Sequence, residues 1–411
     1  MGQAPVSVMD FDAAIAVVLE HAARVVRLTV ERVELSASRG RVLAEEVRAD
    51  RDQPPFDRST RDGFAVRASD LGVDARLRVV GQVRAGEVWR GGVVEPGCAV
   101  EIMTGAPVPE GADAVVMVEH VERVGAEIAG GSVKAGENVV PRGAEARADA
   151  VVLGVGTEMG AAEIALAASC GCAELAVFER PKVAIVATGD ELVDVGEVTE
   201  AWQIRNSNSY ALKALVEDAG GFGGRLEVAR DVRQEIWERV AQGRAWDLMV
   251  FSGGVSMGEY DLVEEVLAEF GAEFFFTGVR MQPGKPVVFG RLPERDGAKA
   301  CYFFGLPGNP VSTQVTFHCF VEPLLRAMCG GEVAGPRFVQ ATLAEDVAGK
   351  AGLTRVLPAR LVSDRVKPTV RVVGWQGSGD LGANARANCY AVLPPEVERF
   401  AAGDVITVLL R

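Results

Sequence analysis

The sequence predicts a multidomain α/β chain: a doubly wound, mostly parallel sheet domain, an inserted β-rich domain, a helical/β scaffold domain and a small C-terminal β barrel. Three observations predict it. From Lys182 to about residue 330, apolar runs of strand length alternate with segments of helical period. Between residues 48 and 140 the runs become short, β-rich and punctuated by Gly and Pro. Residues 336–411 again carry short alternating strands and turn residues, closing on Val405 to Leu410. At 411 residues the chain is too long for one ordinary core, and a prior of about 150 residues per domain gives roughly two to four domains.

In chain order, Ile15, Val18, Leu19, Ala22 and Val25 recur at helical spacing, and Leu35 to Val47 reads as a second helical piece around Gly40. With residues 141–179, which hold the alanine-rich helix Ala161 to Ser169, residues 1–47 make a discontinuous scaffold domain. The insert, 48–140, contains strands such as Leu77 to Val83 and Ala114 to Val118. The alternating domain, 180–330, runs strand Val183 to Ala187, helix Ser209 to Ala219, strand Leu226 to Ala229, helix Arg233 to Ala241 and strand Leu248 to Phe251. A helical pattern with Leu262, Val263, Val266 and Leu267 follows, then strand Tyr302 to Leu306 and a helix carried by Val311, Val315 and Phe320. Residues 331–411 form the barrel.

Composition excludes some partners. A formal charge of -14 repels nucleic acid and anionic membrane over long range, so an anionic ligand must be held by local features. Seven scattered cysteines fit reduced thiols in a cytoplasmic protein. Cys170-Gly-Cys172 lacks the second pair that a zinc site needs, and His21, His120 and His318 are isolated. The N-terminus has no basic segment leading into an apolar core, and the most apolar long stretch, Ala161 to Phe178, is broken by Glu163 and Glu174. Neither a signal peptide nor a membrane span is expected.

Two glycine-rich stretches look like two walls of one anion pocket. Phe251 to Asp261 reads FSGGVSMGEYD between a strand and a helix, a geometry that aims bare backbone N–H groups at a phosphate. Gly253 and Gly254 admit an anion closely, Ser252 and Ser256 add hydroxyls, and Asp261 places a carboxylate where a metal could bridge to phosphate. Phe304 to Ser312 reads FGLPGNPVS and repeats the logic with Pro307, Gly308, Asn309 and Ser312. Each stretch is equally compatible with a tight turn in an ordinary parallel sheet.

Further polar groups gather at predicted strand ends: Asp190 and Glu191 in ATGDEL, and Asp231. Asp231 and Asp261 could hold magnesium; each could instead cap the helix that follows. MQPGKP puts Lys285 on a rigid turn with Pro283 and Gly284. Arg205-Asn206-Ser207-Asn208 precedes a helix and gives polar groups that could orient a ligand, while Asn206 or Ser207 as the helix cap is the simpler account. In the insert, FDRSTRDGF with Asp62 and MTGAPVP with Thr104 are dense in donors and rigid turns.

These segments resemble the molybdopterin molybdenumtransferase family, the bacterial MoeA proteins and the E domain of gephyrin. FDRSTRDGFA, TGAPVPEGADAVV, ATGDEL, IRNSNSYAL, SGGVSMGEYD, PGKP and LPGNPVS occur in the family's order, almost end to end. The resemblance implies insertion of molybdenum from molybdate into adenylylated molybdopterin, with magnesium and release of AMP. It implies an elongated homodimer whose cleft joins the alternating domain of one subunit to the insert of the other, with contacts to molybdopterin adenylyltransferase and to molybdoenzymes as further partners. On this basis Asp62 and Thr104 face the pocket across the dimer, and Glu191, Asp231, Asp261, Lys285 and Ser312 line it. The catalytic set is then Asp62, Glu191, Asp231, Asp261 and Lys285, and the ligand-binding set includes Glu145 and Ser207 beside the two glycine loops. Three places depart from the family pattern. Ala144-Glu145 stands for Glu-Asp, Gln282 stands for a lysine that often precedes the Pro-Gly turn, and Thr60, Arg61 and Phe64 stand for Ala, Met and Tyr. Two readings compete: the adenylylation of molybdopterin, and a non-catalytic scaffold.

Overall fold

A computed structural model describes residues 8–25, 29–72, 74–254, 262–295, 297–363 and 365–411. The chain divides into two compact units, residues 1–32, 40–44 and 176–411 in the larger and residues 33–39 and 45–175 in the smaller.

Helix α1 (Phe11–Ala22) belongs to the larger unit and buries Phe11, Ala14, Ile15, Val18 and Ala22 on one face. The expected second helix, Leu35 to Val47, is not one. Leu35–Ala37 is a single 3-10 turn, and the chain then runs on through Gly40 at φ +69, a left-handed angle that ends helical propagation.

The smaller unit is built on a curled six-stranded sheet of β1 (Gly63–Val66), β2 (Arg76–Val83), β3 (Cys98–Ile102), β4 (Ala114–Met117), β5 (Glu122–Val124) and β6 (Glu127–Ala129), in the order β4-β1-β3-β2-β6-β5. Its two faces are both apolar: Ala65, Val83, Val100, Ile102 and Val115 pack on one side, and Phe64, Val66, Leu77, Val116 and Ile128 on the other. Helix α2 (Ala161–Ser169) lies in the same unit, at the predicted residues.

The larger unit holds the doubly wound sheet. Its strands are β7 (Lys182–Ala187), β8 (Phe222–Arg225), β9 (Leu248–Ser252), β10 (Glu273–Phe276), then beyond the short β11 (Met281–Gln282), β12 (Val288–Leu292) and β13 (Cys301–Leu306). The order is β8-β7-β9-β13-β12-β10, the first four parallel and β12 antiparallel to both of its neighbours. Strands β7 and β9 read as near-continuous apolar runs because helices α3 (Asn208–Asp218), α4 (Arg233–Gly243) and α5 (Leu262–Glu269) let the sheet bury both faces. One strand is corrected: the sequence predicts Leu226 to Ala229, and Phe222–Arg225 pairs instead. Phe-Gly-Gly-Arg carries no apolar run to betray a strand, and Gly224 is there for clearance, since a Cβ would stand 2.0 Å from the Trp246 ring.

After α6 (Pro310–Thr316) the helix widens into a π-helical stretch, Phe317–Val321, and continues as α7 (Glu322–Met328), against which α1 packs. The tail closes a five-stranded barrel of β14 (Phe338–Leu343), β15 (Thr354–Val362), β16 (Thr369–Val372), β17 (Cys389–Leu393) and β18 (Val405–Leu410), with β15 and β17 completing the ring. Barrel residues Val356, Tyr390, Val392 and Leu409 enter the same core as Val315, Phe317 and Phe320. Within that core Phe289 stacks on Phe304 with centroids 4.5 Å apart, and each such fully buried ring contributes about 1.5–3 kcal/mol.

Candidate active site

The glycine loops leave the carboxyl ends of neighbouring strands. Register sets Ala187 beside Ser252 and Ser252 beside Leu306, so ATGD, SGG and LPGN turn off in one row. The ladder runs one step past the strands: Thr188 N–H donates to Ser252 O (3.1 Å), and Gly253 N–H donates to Leu306 O (3.1 Å). Gly253 and Gly254 have φ of +91 and +64, and a Cβ on either would lie 2.6 Å from Thr188, at its carbonyl or its hydroxyl oxygen. A side chain is excluded twice over, by angle and by space. A Cβ on Gly308 would stand 3.5 Å from Gly253 Cα, so the structure brings Ser252, Gly253, Gly254 and Gly308 together. Ser256 and Asp261 lie outside the described residues.

In the second loop the Thr313 hydroxyl donates to Pro307 O (2.6 Å) and Asn309 O (3.1 Å), locking the turn from within. Ser312 is buried in α6, where its carbonyl accepts from the Thr316 hydroxyl (2.8 Å). Ser207 precedes α3 without capping it by its side chain, whereas Asn206 Oδ1 accepts from Ser209 N–H at 3.2 Å. Asn208 is a site residue that the sequence reading does not single out. Its Nδ2 donates to Ser252 Oγ (2.8 Å) and to Gly308 O (2.7 Å), and the only sequence signal for it is the polar run at the helix start.

Acidic groups gather at the ends of β7 and of the chain beyond β8. Asp231 N–H donates to Asp190 Oδ1 (3.1 Å), and a Cβ on Gly189 would meet Glu191 Oε2 at 2.5 Å. The Asp231 carboxyl is raised above its ordinary value, first by desolvation and then by the negative charges of Asp190 and Glu191. It does not cap α4, whose N-cap is Val232 with no side-chain bond. A carboxylate so crowded by like charge is a place where a cation binds favourably, although among the described residues no group of three or more His, Cys, Asp or Glu closes around a metal position.

Lys285 is exposed on its turn. The turn is held at both sides: Val279 N–H donates to Lys285 O (2.9 Å), and Met281–Gln282 pairs in parallel with Thr354 and Arg355 of β15. Pro283 and Gly284 are buried, Gly284 at φ +109 with Thr316 Cγ2 only 2.6 Å from where a Cβ would be.

In the smaller unit Asp62 Oδ1 accepts from both Thr104 N–H (2.7 Å) and Thr104 Oγ1 (2.8 Å), which hold its carboxyl below the ordinary range. Gly63, which follows, lets β1 and β4 lie close: a Cβ there would sit 1.9 Å from Val116 O. Glu145 forms an exposed ion pair with Arg58 at 2.8 Å.

The whole chain has recognisable relatives. Family models described as the MoeA N-terminal region (domain I and II), a probable molybdopterin binding domain and the MoeA C-terminal region (domain IV) match residues 9–171, 184–327 and 340–410. A molybdopterin molybdenumtransferase of Staphylococcus aureus is 36% identical over 385 residues, 92% of this chain and 90% of that protein. A crystal structure of a molybdopterin biosynthesis MoeA protein from Pyrococcus horikosii is 31% identical with a TM-score of 0.73, covering 98% of this chain and 99% of the other. A second, from Pyrococcus horikoshii OT3, is 28% identical with a TM-score of 0.77 over 98% and 100%. With matches in one order along almost its full length, the chain belongs to the MoeA family.

Proposed function

We propose that this chain is a molybdopterin molybdenumtransferase of molybdenum cofactor biosynthesis, which inserts molybdenum from molybdate into adenylylated molybdopterin with magnesium-dependent release of AMP. The enzyme class follows from family membership and the 36% identical relative of that name. The single observation that supports the site is the meeting of Ser252, Gly253 and Gly254 with Gly308 in the row of strand ends that also carries Asp190 and Glu191. Glycine-loop amides and Ser252 hold a phosphoryl group without spending a formal positive charge. Asp231 fits a magnesium ion, because desolvation first and the charges of Asp190 and Glu191 second disfavour its bare ionised form, a cost that a cation would offset. Asp231, with Glu191 near it, and Asp261 would hold the ion, which would supply charge neutralisation at the pyrophosphate. Lys285 offers a compact donor to the molybdate oxyanion, and Asp62 enters the reaction as a carboxylate kept ionised by Thr104. The protein works in the cytoplasm as a homodimer, and no helix of the described residues is long and apolar enough to cross a membrane. Purified protein with adenylylated molybdopterin and magnesium will release AMP when molybdate is added. Release that ignores molybdate, or binding with no release at all, would count against metal insertion and favour an adenylyl-handling enzyme or a scaffold.

A further inference from the structure

Asn208 touches both glycine loops, and the chemistry of its two contacts orients a third group. An amide nitrogen has two N–H donors, and here Ser252 Oγ and Gly308 O take one each. The Gly308 carbonyl has no proton, so rotating the amide by a half turn would set two oxygens face to face. The orientation is therefore fixed by its partners. Ser252 accepts from Asn208, and its own hydroxyl proton has to go elsewhere. Among the described residues no acceptor receives it, although Ser252 is only 3% exposed. Thr188, at the neighbouring strand end and also 3% exposed, has a buried hydroxyl with no partner among the described residues. Among the described residues, two buried O–H groups beside Gly253 and Gly254 thus have no acceptor, while Asn208 Oδ1, buried as well, has no donor, and buried polar groups left unmet cost folding free energy. An oxyanion supplies the acceptors for both hydroxyls, and a hydroxyl or bound water carried with it supplies the donor for Asn208 Oδ1.

We propose that Asn208 is a positioning residue for phosphoryl binding. By filling the acceptor side of Ser252 it leaves the Ser252 O–H to donate to a phosphoryl oxygen, with Thr188 O–H beside it, and through Gly308 it sets the spacing of the two loops. This rests on the glycine loops being the anion site.

The test is calorimetric titration of AMP, with magnesium, into the full-length protein and its variants. Asn208→Asp offers Ser252 an acceptor in place of a donor and faces Gly308 O with a second oxygen. It and Ser252→Ala each weaken AMP binding about tenfold, the loss expected for one hydrogen bond to a charged group. Asn208→Ala costs clearly less affinity when Ser252 is already alanine, because its main route of action is gone. In turnover the same variants raise KM more than they lower kcat. Equal losses from Asn208→Ala in the two backgrounds would overturn the assignment. Absence of AMP binding by the unaltered protein would overturn the anion-site reading beneath it. Asn208→Ser keeps a polar residue at the start of α3 and carries the same comparison if the aspartate variant fails to fold.

Discussion

At the scale of single residues the informative group is Asp231. Its folded-state pKa lies above the ordinary 3.8, by desolvation first and by Asp190 and Glu191 second. The folded protein therefore binds that proton more tightly than the unfolded chain, and the sign follows. The stabilising protonated form is fully present below the unfolded value and is lost as pH rises through the raised one. Asp231→Asn should then match the unaltered protein in denaturant melts at a pH below the ordinary carboxylate value and exceed it near neutrality, in the absence of magnesium. Added magnesium should raise the melting midpoint of the unaltered protein and leave that of Asp231→Asn where it was. Parallel curves at all pH values would remove the carboxylate crowding from the account. Asp62 is the opposite case, an exposed carboxylate held down by two donors from one threonine. The two acids share a residue type and differ in what surrounds them, which sequence could not show.

At the scale of elements the Lys285 turn is the sharpest test of geometry. Gly284 holds φ +109, and Thr316 Cγ2 lies 2.6 Å from the place a β-carbon would take, so Gly284→Ala adds strain and overlap at once. Overpacking of this kind costs about 1–3 kcal/mol. The variant should melt lower and lose at least as much turnover as Lys285→Ala, which leaves the backbone alone; full activity in Gly284→Ala would show that the turn need not be rigid. Much of this level was legible in the sequence. The alternation of apolar runs located β7, β9 and β13 and the helices between them, because buried parallel strands and amphipathic helices both leave periodic signatures. The glycine loops were legible for a different reason, since positive φ and close approach admit little else. What failed was β8, where clearance for Trp246 demands a glycine in place of an apolar residue, and the stretch after Leu35, where a local apolar period met Gly40. Within the polar run 205–208 the sequence did not show that Asn208 is the residue that reaches the loops, since a hydrogen bond across 100 residues of sequence to Gly308 leaves no local mark.

For the whole molecule, net charge sets how an anionic substrate arrives. A formal charge of -14 opposes approach at long range, while the loops proposed to hold the anion would act only at contact. The association rate of AMP, followed by stopped-flow, should therefore rise between low and physiological salt, as screening shortens the repulsion to about 8 Å. A rate that falls with salt would mean that a local basic field, with Lys285 its first candidate, outweighs the global one.

The Lys285 turn also has a timetable. Gly278 and Val279 pair with Val8 and Met9 from the start of the chain, whereas Met281 and Gln282 pair with Thr354 and Arg355, more than seventy residues further on. During synthesis the first tether is available as soon as the turn is made. The second must wait until the barrel strand has left the ribosome, at about 5–20 residues per second. A nascent chain stopped short of residue 354 would hold the Lys285 turn from one side only. If Lys285 serves the reaction as proposed, the C-terminal barrel decides when it can begin to do so.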